Sequence, residues 1–385
     1  MKNLDFLKAV FKCSLSAYGG PEAHYGVFID VLIKKYKYLT EDELLDLMAL
    51  TSLLPGPSST QTIVAIGYKL GGMTLSLLTF LVWVFPGILF MILFSFFSYY
   101  LSIFGLENSM LKYIPSLAIA FMIYGAYTVS KKVIIDKFMT FLTVIGFLSM
   151  YFVKNPLFYI FIMIIGGVFS LLYYNKTLIL EKFSLSINYK FMYLFLIITT
   201  IITVLPIIIP SKITILLSSL YKYGYLVIGG GNVVVPLMFN DLVNVNNYLS
   251  SDEFLTGLGF IQGLPGPMFA FSSYVGSLSF TEHSTLLRVF IAILSAIFLF
   301  LPGILLIYFV YPIWDKLKNI EYFKIFLKGI IAITNGFIIL TPLILIQKHV
   351  SMYNYIVIIL VFIMLYFRKI SAPIIVIIIL FIGMV

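Results

Sequence analysis

Apolar positions in this chain fall into long blocks, at 73–104, 157–174, 191–209, 286–311 and 370–385. Each block approaches or exceeds the ~20 residues that a helix needs to cross a hydrocarbon core, and about nine full spans are expected over the whole chain. Two other stretches, 19–57 and 229–267, have a different texture, because glycine and proline interrupt them every few residues. Broken or re-entrant helices are predicted there. Such irregular backbone survives at membrane depth only where protein or a water-filled cavity covers it, so the breaks belong inside the bundle.

The two interrupted stretches repeat each other 210 positions apart and align without a gap from Gly19 with Gly229 to Pro57 with Pro267. Twelve of 39 aligned residues are identical, among them Tyr38-Leu39 with Tyr248-Leu249, Asp42-Glu43 with Asp252-Glu253, and Leu54-Pro55-Gly56-Pro57 with Leu264-Pro265-Gly266-Pro267. The chain therefore divides into a first transmembrane repeat over 1–175, a connection with a linker helix over 176–210, and a second repeat over 211–385.

Composition agrees with a bilayer solvent: 61% of residues are hydrophobic, 11% are charged, and the mean hydropathy is +1.08, beyond what the core of a water-soluble domain requires. Lys8 and Lys12 interrupt the first apolar stretch and no clean small-residue cleavage site follows, so the N-terminus is expected to be structure and not a signal peptide. With one cysteine, Cys13, and three scattered histidines, His24, His283 and His349, neither a disulfide framework nor a metal cluster is expected, and no cofactor is implied.

The net charge of +9 does not point to nucleic acid, because the basic residues sit in short loops between apolar runs, where they act as topology signals. Lys34, Lys35, Lys37, Lys131, Lys132, Lys137, Lys176, Lys182, Lys190, Lys316, Lys318, Lys324, Arg368 and Lys369 mark one side, expected to be cytoplasmic, together with the N-terminus. Only Lys112, Lys154, Lys212 and Lys348 occupy the alternating loops. The loop at 34–37 aligns with 244–247, which holds no Lys or Arg, so the second copy is predicted to be upside down in a multi-pass cell-membrane protein. Inverted repeats of this kind underlie many secondary transporters, with the substrate near the midplane where the copies meet. No Walker-type stretch suggests a nucleotide-driven pump.

Within the first repeat, Thr40 begins a helix that Pro55-Gly56-Pro57 stops, and a second half-helix starts at Ser58. Ser58, Ser59 and Thr60 place hydroxyls and free backbone N–H groups at a helix start, where an anion can be held, and Gln61 adds an amide. Simple capping is the competing role for these hydroxyls. The matching start, Pro267 to Phe271, lacks early hydroxyls, so an asymmetric site is expected. Two facing helix termini supply about +1 elementary charge, less than a dianion requires. Lys69 is the nearest fixed cation in sequence, with a snorkelling interface role as its alternative.

Acidic candidates for proton coupling are Glu22, Asp46, Glu43 and Glu253. Glu43 and Glu253 also fit capping boxes begun by Thr40 and Ser250. Asp46 lies beyond the cap in an apolar helix, where an isolated carboxylate costs about 2.5–3.5 kcal/mol, and its repeat partner is Thr256. Gly19, Gly20, Pro21 and His24, with Gly230, Gly231, Asn232 and Gln262 in the second copy, complete the candidate binding set. A membrane enzyme built on Glu22, His24, Glu43 and Asp46 would lack any recognisable nucleophile pair or His-Glu-x-x-His motif.

The motifs Tyr18-Gly19-Gly20-Pro21-Glu22-Ala23-His24, Tyr38-Leu39-Thr40, Leu54-Pro55-Gly56-Pro57 with Ser59-Thr60-Gln61, and Gly67-Tyr68-Lys69 resemble the chromate ion transporter (CHR) family in its long, two-domain form. Gly229 to Pro236, Pro265-Gly266-Pro267, Phe85-Pro86-Gly87 and Leu301-Pro302-Gly303 extend the resemblance from about residue 15 to about residue 340. It implies an all-α polytopic fold that exports chromate from the cytoplasm by proton exchange and confers chromate resistance. Asn232 stands where the family often has an aromatic residue, and Lys69 replaces a common arginine, which removes a planar fork suited to two oxygens. Sulfate or another tetrahedral oxyanion is the alternative substrate. A homodimer is compatible with the sequence.

Overall fold

The structure, a computed structural model, describes residues 2–18, 21–105, 110–153, 156–174, 189–227, 234–314, 321–347, 351–367 and 370–384. Among them there is no strand, and the chain is built from helices laid down twice in the same order. The first copy comprises α1 (Lys2–Ser16), α2 (Pro21–Phe28) with a π-helical extension (Ile29–Lys35), α3 (Glu41–Leu53), α4 (Ser58–Ile103), α5 (Ile114–Val133), α6 (Lys137–Phe152) and α7 (Pro156–Tyr173). Helix α8 (Lys190–Ile208) follows. The second copy comprises α9 (Lys212–Leu226), α10 (Val235–Phe239) with its own π-helical extension (Asn240–Val245), α11 (Ser251–Ile261), a 3-10 turn (Met268–Ala270) leading into α12 (Phe271–Leu278), α13 (Thr285–Val310), α14 (Glu321–Ile346), α15 (Met352–Phe367) and α16 (Ala372–Met384).

Local chemistry recurs at the same register. Lys37 and Asn247 both turn the chain with positive φ, at 54° and 50°, just before the caps of α3 and α11. Thr40 and Ser250 then close reciprocal capping boxes with Glu43 and Glu253, in which each hydroxyl accepts the glutamate N–H and each carboxylate accepts the cap N–H. Gly56 and Gly266 carry φ of 132° and 110°, a backbone that L side chains rarely adopt.

Helix α4 is two helices joined at a kink, where Gly71 and Gly72 leave helical geometry. A single apolar run at 73–104 is thus only the outer arm of a longer element. In the second copy the corresponding arms, α12 and α13, are separated by the turn at 279–284. By length and composition, Ser58–Ile103, Lys190–Ile208, Thr285–Ile313 and Lys324–Ile346 can each cross a membrane, and shorter apolar helices accompany them. The bundle is a polytopic helical membrane protein. Helix α8 buries almost nothing inside the bundle and turns a wide apolar surface outward.

One large core joins α1, α3, α4 and α5 to α9, α11, α12, α13, α15 and α16, and a smaller one lies between α5, α6, α7 and α14. The second depends on small residues, since a Cβ on Gly329 would stand 2.2 Å from the Gly166 carbonyl oxygen. Without a hydrophobic force between helices in lipid, such close backbone approach is what lets them adhere.

The copies interlock reciprocally. The Gly56 N–H donates to the Val227 carbonyl at the end of α9 (2.7 Å), and the Gly266 N–H donates to the Ala17 carbonyl at the end of α1 (3.0 Å). Gly56 also packs on Gly303, and Gly266 on Gly87, the glycines of the Pro-Gly pairs inside α13 and α4. Each Pro-Gly-Pro break is therefore held by the other copy.

Candidate functional site

Both breaks meet at the centre. A small cavity of about 20 Å³ is lined by His24, Pro57, Ser58, Ser59 and Thr60 of the first copy and by Pro267, Met268 and Phe269 of the second. That space holds roughly one water molecule and is too small for a tetrahedral oxyanion.

Helix α4 starts here without a side-chain cap, because its N-cap is Pro57. The hydroxyls that follow are used elsewhere. Ser59 Oγ lies 2.9 Å from His24 Nδ1, Thr60 Oγ1 accepts from Trp83 Nε1 (3.1 Å), and Thr62 Oγ1 donates to the Ser58 carbonyl (2.9 Å). The first N–H groups of α4 thus keep their orphan character, with the positive end of the helix dipole behind them. His24 and Ser59 are almost fully buried, and His24 Nε2 has no protein partner. The edge of the His24 ring packs on Trp83 at 5.4 Å.

Gln61 has a different role from the anion donor expected of it. Its Nε2 donates to the Pro55 carbonyl (2.8 Å) and to the Gly303 carbonyl (3.0 Å), so it ties the first break to the second copy. Its Oε1 is buried without a partner. Phe271 stands at the equivalent position of the second copy and Phe269 at that of Ser59, so the central cavity is polar on one wall and apolar on the other.

Beside it lies a much larger cavity of about 790 Å³, partly open, which shares Ser58 and Met268 with the small one. Its polar lining includes Thr51, Ser52, Ser58 and Gln262, and two cations, Lys132 of α5 and Lys328 of α14, stand at its wall. The amide of Gln262 lies 3.9 Å from Met268 Sδ. In the sequence Lys132 reads as a topology signal, and no motif there marks Lys328. Their common wall exists only because α5 and α14, from different copies, pack together.

Among the other described candidates, Gly56 lines the larger cavity, whereas Lys69, Glu43, Asp46 and Glu253 line neither. Lys69, at the end of the inner arm of α4, pairs with Glu43 at 2.5 Å. Asp46 is on the exposed face of α3 and Glu253 stays in its capping box. Gly19, Gly20, Gly230, Gly231 and Asn232 lie outside the described residues, as do the side chains of Pro21 and Glu22.

Lys69, and then the Thr40 N–H, hold the Glu43 carboxyl below its ordinary range. A depressed carboxylate contributes stability that is present above the unfolded-chain value, about 4.3, and is lost as pH falls through the lower folded-state value. Between pH 5 and 8 the pair stays intact. Glu43→Gln is therefore expected to leave the pH profile of transport unshifted in that window and to cost about 0.2–1 kcal/mol for the half-exposed pair, since glutamine at this position keeps the capping box. A displaced pH profile in flux assays would instead make Glu43 a proton carrier.

Two half-helix breaks that clasp each other around a buried polar wall, beside a lysine-lined cavity in a helical membrane bundle, form an arrangement of the kind found in membrane transporters. The model of the chromate transporter family matches residues 4–171 and 213–384, and the chain belongs to that family. It is 24% identical over 345 residues to an uncharacterized transporter of Methanocaldococcus jannaschii, covering 87% of this chain and 82% of that one. It is 22% identical over 268 residues to a chromate transport protein of Pseudomonas aeruginosa, covering 69% of this chain and 64% of that one. A 72-residue stretch is 31% identical to an uncharacterized transporter of Bacillus subtilis, covering 19% of this chain and 40% of that one. No solved structure matches the chain.

Proposed function

We propose that this protein exports chromate from the cytoplasm across the cell membrane in exchange for protons, and so confers chromate resistance. The observation that carries this reading is the shared wall at Ser58, where the wide lysine-lined cavity meets the small cavity between the two breaks. In this reading the wide cavity is the cytoplasmic vestibule, since Lys132 belongs to the heavily basic side of the loops. The second repeat, 211–385, is inverted relative to the first, 1–175, and the lysine asymmetry at 34–37 against 244–247 supports that orientation.

Energetics favour the outward direction. A dianion leaving a negative-inside cell gains about 4.6 kcal/mol per 100 mV, twice the value for one charge. Proton exchange adds to this drive, and Glu22 and Asp46 are the carboxylates assigned to it. The central cavity would open to admit the anion against His24, Ser59 and the α4 N–H groups, with Phe269 as its apolar back wall.

Purified protein in liposomes, given chromate or sulfate under imposed pH and voltage gradients, tests substrate and coupling together. Chromate efflux that acidifies the lumen is expected; sulfate flux without chromate flux would reassign the substrate, and no flux of either anion under any gradient would sink the reading. The vestibule makes its own prediction. Lys132→Gln with Lys328→Gln is expected to raise the half-saturating chromate concentration about three- to tenfold and to weaken its salt dependence, because two fixed cations raise the local anion concentration. Unchanged salt dependence would remove the lysines from the entry path.

A further inference from the structure

Arg288 lies one turn inside α13, in a block that reads as apolar in the sequence, and it is 4% exposed. Its Cζ packs 4.2 Å from the Phe96 ring centre and 4.7 Å from that of Tyr99, and its Nε donates to the Ser277 carbonyl at 3.2 Å. Nη2 is buried with no partner, and no carboxylate among the described residues pairs with the guanidinium. A cation inside a membrane bundle normally finds a counter-charge or marks a pathway.

Arg288 does not stand alone. Ser277 Oγ accepts from Ser95 Oγ at 2.6 Å, and Ser295 Oγ and Ser273 Oγ are fully buried without partners. Ser273, Gly276 and Ser277 share a face of α12 at helical spacing, and Gly276 packs directly on Ser295 of α13. A strip of hydroxyls therefore runs along the seam between α12, α13 and the outer arm of α4. Its inner end is one turn from Phe269, a wall of the central cavity, and its outer end is Arg288. Since α13 has 26 residues, about 39 Å of rise, its start lies far from its end, which leads into α14 and vestibule Lys328. The strip thus leaves the central cavity on the side away from the vestibule.

We propose that the seam between α12, α13 and the outer arm of α4 is the route by which a tetrahedral oxyanion passes from the central cavity to the opposite face, with Arg288 as its outer binding station. This rests on the transport reading above. Unpartnered hydroxyls can donate to successive oxygens, and the unpartnered Nη2 of the guanidinium can donate to an oxyanion.

Ser273→Cys and Ser295→Cys, each in a Cys13→Ser background and reconstituted in liposomes, are treated from the Arg288 side with an anionic sulfonatoethyl or a cationic trimethylammonioethyl methanethiosulfonate. Labelling at least tenfold faster with the anionic reagent is expected, and Arg288→Gln should abolish that preference. Arg288→Gln should also lower chromate flux at least tenfold, with partial rescue in Arg288→Lys. Cysteines that stay unlabelled, or that react equally with both reagents, overturn the route even if Arg288→Gln fails to fold. Flux retained within twofold in Arg288→Gln, with bound phospholipid lost from the purified variant by mass spectrometry, would make Arg288 a lipid-phosphate anchor and also overturn it. Wild-type protein that carries no chromate fails the transport reading; chromate flux past unlabelled cysteines fails the seam alone.

Discussion

Gly56→Ala is expected to lose most of its folded protein, and Gly266→Ala to do the same. At φ of 132° and 110° these positions exclude a side chain on backbone grounds alone, at about 1–3 kcal/mol. A new Cβ at Gly56 would also stand 2.9 Å from Gly303 Cα, and one at Gly266 would stand 3.0 Å from Gly87 Cα. Those neighbours are backbone atoms, which cannot swing aside as a flexible side chain can, so overpacking adds about 1–3 kcal/mol. Together the terms come to about 2–6 kcal/mol, which reaches the lower end of the stability of a typical domain, about 5–15 kcal/mol. Gly105→Ala is the control, because Gly105 has φ of 69° and open space around it. Thermal unfolding of the detergent-solubilised proteins should rank Gly56→Ala and Gly266→Ala well below Gly105→Ala. Equal midpoints for all three would mean that the interlock between the copies is not structural.

Ser59→Ala is expected to weaken chromate binding about tenfold or more and to lower stability by about 1–3 kcal/mol, because it leaves the buried His24 Nδ1 without its partner. The hydroxyl lies against His24 in the central cavity, and a hydrogen bond to a charged ligand contributes about 1.5–3 kcal/mol, which is a factor of about 10–100 in affinity. His24→Phe should have at least as large an effect, since it removes both the Ser59 partner and the unpartnered Nε2. Thr60→Val separates binding from packing. It abolishes the acceptor for Trp83 Nε1, so it should lower stability by about 1–3 kcal/mol through the buried orphan donor. Equilibrium binding of chromate alongside thermal unfolding distinguishes the two effects. Unchanged affinity in both Ser59→Ala and His24→Phe would return this cluster to a purely structural role.

The elements most legible in the sequence are those set by local chemistry. Thr40 and Ser250, each followed three residues later by glutamate, predict capping boxes that form as expected, because both partners lie within one helical turn. The stop at Pro55-Gly56-Pro57 and the new start at Ser58 are equally local. Lys69 and Gln61 were harder to place. Lys69 is 26 residues from Glu43, and whether it meets that carboxylate or an anion depends on how the inner arm of α4 folds back on α3. Gln61 reaches Gly303, 242 residues away, a partner that no local pattern indicates.

Lys132, Lys328 and Arg288 carry the same lesson. Along the chain Lys132 is half of the Lys131-Lys132 pair at the edge of an apolar block, and Lys328 and Arg288 are cations flanked by apolar residues, which is also how snorkelling residues look. Packing decides otherwise, by bringing Lys132 and Lys328 to one cavity wall and by sealing Arg288 against Phe96 and Tyr99.

Hydropathy, proline and glycine act over one span or one turn, so the membrane setting, the two copies 210 residues apart and the sites of the helix breaks can be read along the chain. Which half-helix faces which, the clasp of each break by the other copy, and the polar wall of His24 and Ser59 opposite Phe269 emerge with packing. In lipid the helices adhere through close backbone approach and long-range hydrogen bonds. Those contacts are properties of paired surfaces, and a linear pattern holds only one surface at a time.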